Sequence, residues 1–217
     1  MNMIYYGLPN DENIGNGKTV SVVGATIEDY INSGEKREIF SNIVLHGIPY
    51  TPLTPNNMFE ILEVKDALII FDEMAAIVHK NHHISESCKK HHVEGIQDKY
   101  TTGLCHRLTM MVRQVRKNDV DTRSTAQDFW DVQRQMRDLM QVGILCEKYH
   151  EDEDGGVIKC NPSAYPRRKC PDTHRHWILQ TQVRNSRIIG TPRFFDPEPY
   201  YGFYNTNEIV KGWVSYD

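Results

Sequence analysis

Long apolar runs are missing from this chain. The longest, such as ALIIF at Ala67 to Phe71, fall far short of the roughly 20 residues that a membrane-spanning helix needs. The start, MNMIYYG, lacks the basic region and extended apolar segment of a secretory signal. Cysteine is sparse and odd in number, five residues with no C-x-x-C pair, which argues against a disulfide framework and for a reduced, intracellular protein. An excess of basic charge is also lacking. The formal net charge of -4 argues against a dedicated high-affinity nucleic-acid binder, although it says little about a ring whose basic residues face a central channel. No internal repeat is visible. What remains is ordinary for a soluble globular protein: 217 residues, enough to bury a sizeable core without covalent or metal staples.

Short apolar runs alternate with longer helical patterns, the mark of an α/β fold with a mainly parallel sheet flanked by helices. A strand is expected at Met3 to Leu8, then a loop, then a helix carrying Val20, Val23, Ile27 and Ile31 on one face and stopped by NSG at Asn32 to Gly34. Further strands are expected at Arg37 to Leu45, at DALIIFDE, near Asp119 to Thr125 and at QVGILCEKY; a short helix is expected at NMFEILEV. Two helices broken by a His-rich stretch should occupy Met74 to Lys117, and AQDFWDVQRQMRDLM should form another helix with Phe129, Val132, Met136 and Met140 along one face. Composition shifts after about Glu147. The expected organisation is therefore a core over 1–148 and a small β-containing extension over 149–217, packed on the core.

Chemistry concentrates at three places. The first is GLPNDENIGNGKT, Gly7 to Thr19, which follows a strand and opens a helix, as phosphate loops do. Glu12 stands where the strict G-x-x-x-x-G-K-[ST] pattern has glycine, so GLP and GNGKT read as the two ends of a loop with about five residues inserted. Gly15, Asn16, Gly17, Lys18, Thr19 and Val20 are the candidate nucleotide-binding residues. Lys18 would reach the β and γ phosphates and the Thr19 hydroxyl would ligate Mg²⁺. The second place is the end of DALIIFDE, where ligands of open α/β sheets bind: Asp72 is a candidate Mg²⁺ partner and Glu73 a candidate general base. The third is STAQ, where Gln127 would end a strand beside the two carboxylates and contact the lytic water or the γ phosphate.

The ordered set of GNGKT, DALIIFDE and STAQ, with IFSNIVLHGIPYTPLT and RQVRKNDVDTR between them, resembles the additional-strand P-loop ATPases of the FtsK-HerA superfamily. It is similar in particular to the small genome-packaging ATPases of tailless archaeal and bacterial viruses and to the Zot-like assembly ATPases. The resemblance covers roughly residues 3–148. It implies a RecA-like ATPase core, ATP and Mg²⁺ as ligands, and a homo-oligomeric ring, pentameric or hexameric, that moves double-stranded DNA in the cytoplasm of a host cell or at the virion. A capsid vertex or a membrane protein would be a further partner. It also implies an arginine supplied in trans to the neighbouring site, with Arg113, Arg116, Arg134 and Arg137 as candidates and Arg116 and Arg137 preferred. The other readings are a Zot-like ATPase for virion assembly or export, and a nucleotide-binding adaptor without turnover.

Two clusters invite a metal reading. His82, His83, Cys88, His91 and His92 match no standard zinc spacing, and a loop or helix surface lining a channel explains them as well. Cys146, Cys160, Cys170 and His174, with His176 nearby, form a second candidate zinc set in a loop-rich region where a structural metal would help most; buried free thiols are the other reading.

Overall fold

The computed structural model describes residues 1–7, 17–54, 57–58, 60–77, 104–160 and 174–210. The fold is the expected one, a mainly parallel central sheet with helices on both faces. Its parallel part contains β1 (Asn2–Tyr6), β2 (Glu38–Ser41), β4 (Thr51–Pro52), β5 (Ala67–Phe71), β6 (Asp121–Ala126) and β7 (Val142–Glu151), in the order β7-β1-β6-β5-β2-β4. β6 is inserted between the strand that precedes the phosphate loop and the strand that ends in Asp72-Glu73. β4, which contains Pro52, is at the edge, where a missing ladder donor does no harm.

Side chains alternate across the sheet as strand geometry requires. On one face Leu68 and Ile70 of β5 pack with Met3 and Tyr5 of β1 and with Val20, Val23 and Ile27 of α1 (Lys18–Asn32). On the other, Ile69 and Phe71 pack with Ile4 and with Leu108, Met111 and Val112 of the helix that runs Leu104–Val115. Burial on both faces is what a parallel sheet needs, and it explains the unbroken apolar run of β5.

β6 departs from that pattern. Its Thr122, Arg123, Ser124 and Thr125 are all buried, in the middle of the sheet. Most of this polarity has a partner. Thr122 Oγ1 donates to Asn2 Oδ1 at 2.9 Å, Arg123 donates to Thr26 Oγ1 at 3.2 Å and to the Asp29 carboxylate, and Thr125 reaches Asp72. Ser124 Oγ has no hydrogen-bond partner among the described residues. The strand is polar because its side chains tie β1, α1 and β5 together.

Three expectations are corrected. Residues 37–45 form two strands, β2 and β3 (Ile43–Leu45), because Ser41 Oγ bonds both the N–H and the C=O of Ile43 and turns the chain at Asn42. NMFEILEV gives only a 3₁₀ turn at Glu60–Glu63. The helix expected over Ala126 to Met140 is two short turns, Phe129–Asp131 and Arg134–Arg137, since the side chains of Asp128 and Gln133 cap fresh starts at Trp130 N and Met136 N. Met136 is still buried and Phe129 still packs on the core, so the apolar spacing was satisfied without a continuous helix. Residues 78–103, with His82, His83, Cys88, His91 and His92, lie outside the described residues.

The strands after position 148 join the same sheet, apart from the last, which forms a separate two-stranded sheet with β3. β7 runs through that position; β8 (Val157–Lys159) and β9 (His176–Arg184) pair with it antiparallel, β10 (Arg187–Ile188) and β11 (Arg193–Phe195) pair with β9, and β12 (Tyr204–Ile209) pairs with β3. Phe195 and Tyr200, ring-stacked at 5.3 Å, cover α1 at Gly24, and Tyr200 Oη donates to Glu28 at 2.8 Å.

The buried Arg123 makes a direct test of the polar strand. Replacing it with Ala is expected to lower the unfolding free energy by about 1.5–3 kcal/mol, the range for hydrogen bonds to charged groups. Asp29→Asn, on the more exposed partner, should cost less in the same urea titration.

Candidate functional site

Three adjacent parallel strands, β1, β6 and β5, end on one side of the sheet, and their ends carry the site. Gly7 closes β1, and its N–H donates to the Gln127 carbonyl just past β6 at 3.3 Å. Gly17 caps α1 in the left-handed region, φ 75°, and a side chain there would collide with Ile178 of β9. Glycine is required at 17 on both counts. Gly15 and Asn16, with the rest of the inserted loop from 8 to 16, lie outside the described residues; Val20 is buried in the core under α1.

From the first turn of α1, Lys18 and Thr19 point back to the strand ends. Lys18 Nζ donates to Gln127 Oε1 at 2.9 Å, and Gln127 Nε2 donates to Glu73 Oε1 at 2.7 Å. Thr19 Oγ1 donates to Asp72 Oδ1 at 2.9 Å, and Thr125 Oγ1 donates to the same oxygen at 2.8 Å. Five residues singled out in the sequence, Lys18, Thr19, Asp72, Glu73 and Gln127, therefore meet in two hydrogen-bonded sets, which Thr125 joins. Two residues were missed. Asn42 accepts from Asp72 N at 2.7 Å and donates to Asp72 O at 3.0 Å, and Thr125 accepts from Glu73 N at 2.8 Å. The only sequence signal for them was the polarity of STAQ and a Ser-Asn pair inside an otherwise apolar run.

Burial raises the affinity of both carboxylates for a proton. Asp72 is raised mainly by loss of water, against the pull of the Thr125 and Thr19 hydroxyls and of Lys18. Glu73 is raised by burial first and by the Asp72 charge second, with Lys18 and Gln127 pulling the other way. A base whose pKa is moved toward neutrality is better matched to abstracting a proton from water. The hydroxyl of Thr19 and the carboxylate of Asp72 are hard oxygen donors side by side, which suits Mg²⁺.

Among the arginines, Arg137 packs its guanidinium 4.7 Å from the Trp130 ring centroid and donates to Trp130 O at 3.0 Å. Arg134 and Arg113 are exposed; the backbone of Arg116 lies in a 3₁₀ turn, Arg116–Asn118, and its side chain lies outside the described residues. Arg137, Trp130, Phe129 and Tyr6 line an open cavity of about 1110 Å³, which also borders Gly7 at the end of β1.

The described members of the zinc set, Cys146, Cys160 and His174, do not gather round one point. Cys146 is buried beneath α1, its thiol 3.9 Å from Ser21 Oγ and pushed up to about 12 by burial, so it stays protonated. Cys160 Sγ is instead 3.2 Å from His150 Nδ1, with the His150 ring stacked on that of His174 at 5.0 Å. Cys146 and His150 are four residues apart on β7, about 13 Å at strand rise, too far to share an ion. Cys170 lies outside the described residues, and among the described residues no group of three or more His, Cys, Asp or Glu could hold a metal.

A mainly parallel α/β sheet with lysine and threonine at a glycine-capped helix start, facing an Asp-Glu strand end, has the layout of a P-loop nucleotide site. No family model and no curated protein matches the chain. Among solved structures, it is similar to the N-terminal domain of zonular occludens toxin from Neisseria meningitidis, with a TM-score of 0.52, 14% identity, and coverage of 94% of this chain and 98% of that one. The genome-packaging NTPase B204 of Sulfolobus turreted icosahedral virus 2 matches at a TM-score of 0.46 in its ATP-γ-S complex, with 10% identity over 87% of this chain and 94% of that one. Its sulfate complex matches at 0.46 and 11% identity over 90% and 95%. At 14% identity the likeness to the toxin domain shows fold, and the fold is the mainly parallel α/β one that the sequence implied.

The raised pKa of Glu73 has a sign that can be checked. A carboxyl whose folded pKa exceeds its unfolded value favours folding while protonated, at low pH, and that contribution is lost as pH rises through the folded pKa. Glu73→Gln should therefore melt higher than the wild type near neutral pH. The difference should shrink below the ordinary glutamate pKa, as read by thermal unfolding across pH 4–8.

Proposed function

We propose that the chain is a Mg²⁺-dependent ATPase that drives movement of double-stranded DNA, as the motor that packages a viral genome into a preformed capsid. The observation that carries the ATPase part is the closed constellation at the ends of β1, β6 and β5, where Lys18, Gln127 and Glu73 form one chain of hydrogen bonds and Thr19, Asp72 and Thr125 another. The DNA and packaging parts rest on the ordered sequence resemblance. The expected organisation of core and extension belongs to the same proposal.

The residues divide the work as follows. Lys18, with the N-terminal backbone of α1, binds and neutralises the terminal phosphates. Thr19 and Asp72 would hold Mg²⁺, which supplies charge neutralisation on the phosphate oxygens. Glu73 takes the proton from the attacking water, and its raised pKa suits that role. Gln127 touches both Lys18 and Glu73, so it is placed to sense whether the lysine is engaged by phosphate. Arg137 or Arg116 would complete a neighbouring subunit's site in a ring of copies, and phosphate contacts that ignore base sequence would suit transport of a whole genome. No helix among the described residues is long and apolar enough to cross a membrane.

The test is steady-state ATP hydrolysis with and without long double-stranded DNA. Turnover is expected to rise with DNA, to fall by about 10²–10⁴-fold in Glu73→Gln, the range for a general base, and to vanish together with nucleotide affinity in Lys18→Ala. An oligomer that binds ATP without hydrolysing it would instead identify an adaptor, and turnover indifferent to DNA would remove the motor.

A further inference from the structure

Glu73 is a non-glycine residue in the left-handed region, φ 53°, immediately after a strand. That conformation costs an L-residue roughly 1 kcal/mol or more and persists only where its surroundings impose it. The strand register shows what imposes it. β5 and β6 pair in parallel with Phe71 opposite Ser124, so the next step of the ladder sets Thr125 beside Asp72, with the Glu73 turn just beyond. The Thr125 hydroxyl has a single proton, which goes to Asp72 Oδ1; its lone pair accepts the Glu73 N–H.

We infer that Thr125 is a positioning residue for hydrolysis, fixing the carboxylate of Glu73 relative to that of Asp72 through one hydroxyl that bonds both residues. This rests on the reading of Glu73 as the base. Asp72 does not depend on Thr125 in the same way, because Asn42 holds both its N–H and its C=O, and Thr19 bonds the same carboxylate oxygen. Glu73 has no such second backbone anchor among the described residues, and its side chain is held by Gln127, two residues beyond Thr125 on the same segment. The hydroxyl and the amide thus set the base from one strand end, while Asp72 keeps the further anchors of Asn42 and Thr19 when the hydroxyl is removed. Removal of the hydroxyl should loosen the base and leave nucleotide binding in place.

Thr125→Val keeps the shape and removes the hydroxyl; Thr125→Ser keeps the hydroxyl. Steady-state kinetics and ATP-binding titrations with Mg²⁺ should show kcat lower by about 10- to 100-fold in the Val variant, the cost of a base displaced by an ångström or so. KM and ATP affinity should stay within about twofold, and Ser should restore most of the rate. In a Glu73→Gln background the Val change should add little, since the residue it positions is already disabled. Equal losses of rate and affinity, failure of Ser to rescue, or additivity with Glu73→Gln would each overturn the inference. A second readout needs no turnover and so separates this inference from the ATPase reading. In crystal structures of the two variants, Thr125→Val should release the Glu73 backbone from its left-handed setting at φ 53° while Thr125→Ser keeps it, and an unmoved Glu73 in the Val variant would refute the positioning role even in a protein that hydrolyses nothing.

Discussion

The parallel pairing of β6 with β1 on one edge and β5 on the other is the constraint on which the site depends. It fixes three strand ends about 4.8 Å apart, so that groups distant in sequence meet within hydrogen-bond range. Lys18 is brought to Gln127, Thr19 to Asp72, and Thr125 to both acids, without any side chain reaching across open solvent. The inserted strand also explains its own composition. A strand of aliphatic residues in that place would pack well, but it would offer nothing to Asn2, to Thr26 and Asp29 on α1, or to Asp72.

Electrostatics follow from the same geometry. Two carboxylates and one ammonium share a partly buried site, and the acids compete for the proton that burial makes harder to lose. Such an arrangement disfavours the folded state at neutral pH and suits chemistry that needs a base. The apolar packing on both faces of the sheet, and the ties from β6, hold the carboxylates together despite that cost. If Glu73 is the base, as proposed, activity and stability pull in opposite directions there.

The parts of the site legible in sequence were those whose chemistry is local. A lysine and threonine after GNG, an acid pair closing an aliphatic run, and a glutamine closing the next strand each declare themselves within a few residues, and the fold class followed from the alternation of runs. What was illegible depended on tertiary register or on short-range competition. Thr125 and Asn42 look like surface polarity until β5 is laid between β2 and β6. The turns at Asp128 and Gln133 broke an apparently good helix because a side-chain cap outweighed a periodic pattern, while the buried face of Met136 was kept. Cys146 looked like a partner of Cys160, but strand rise separates it from the His150 that Cys160 meets.

The close approach of Ile178 to Gly17 ties the start of α1 to a strand made much later in the chain. During synthesis, Gly17, Lys18 and Thr19 emerge long before the residue on which the loop's last glycine rests. A nascent chain that stops short of β9 has Gly17 without the side chain it rests on, so the start of α1 reaches its final setting late, when β9 pairs with β7. The same holds for a chain cleaved between β7 and β9: it would keep Gly17, Lys18 and Thr19 and still lose the side chain against which that turn is set.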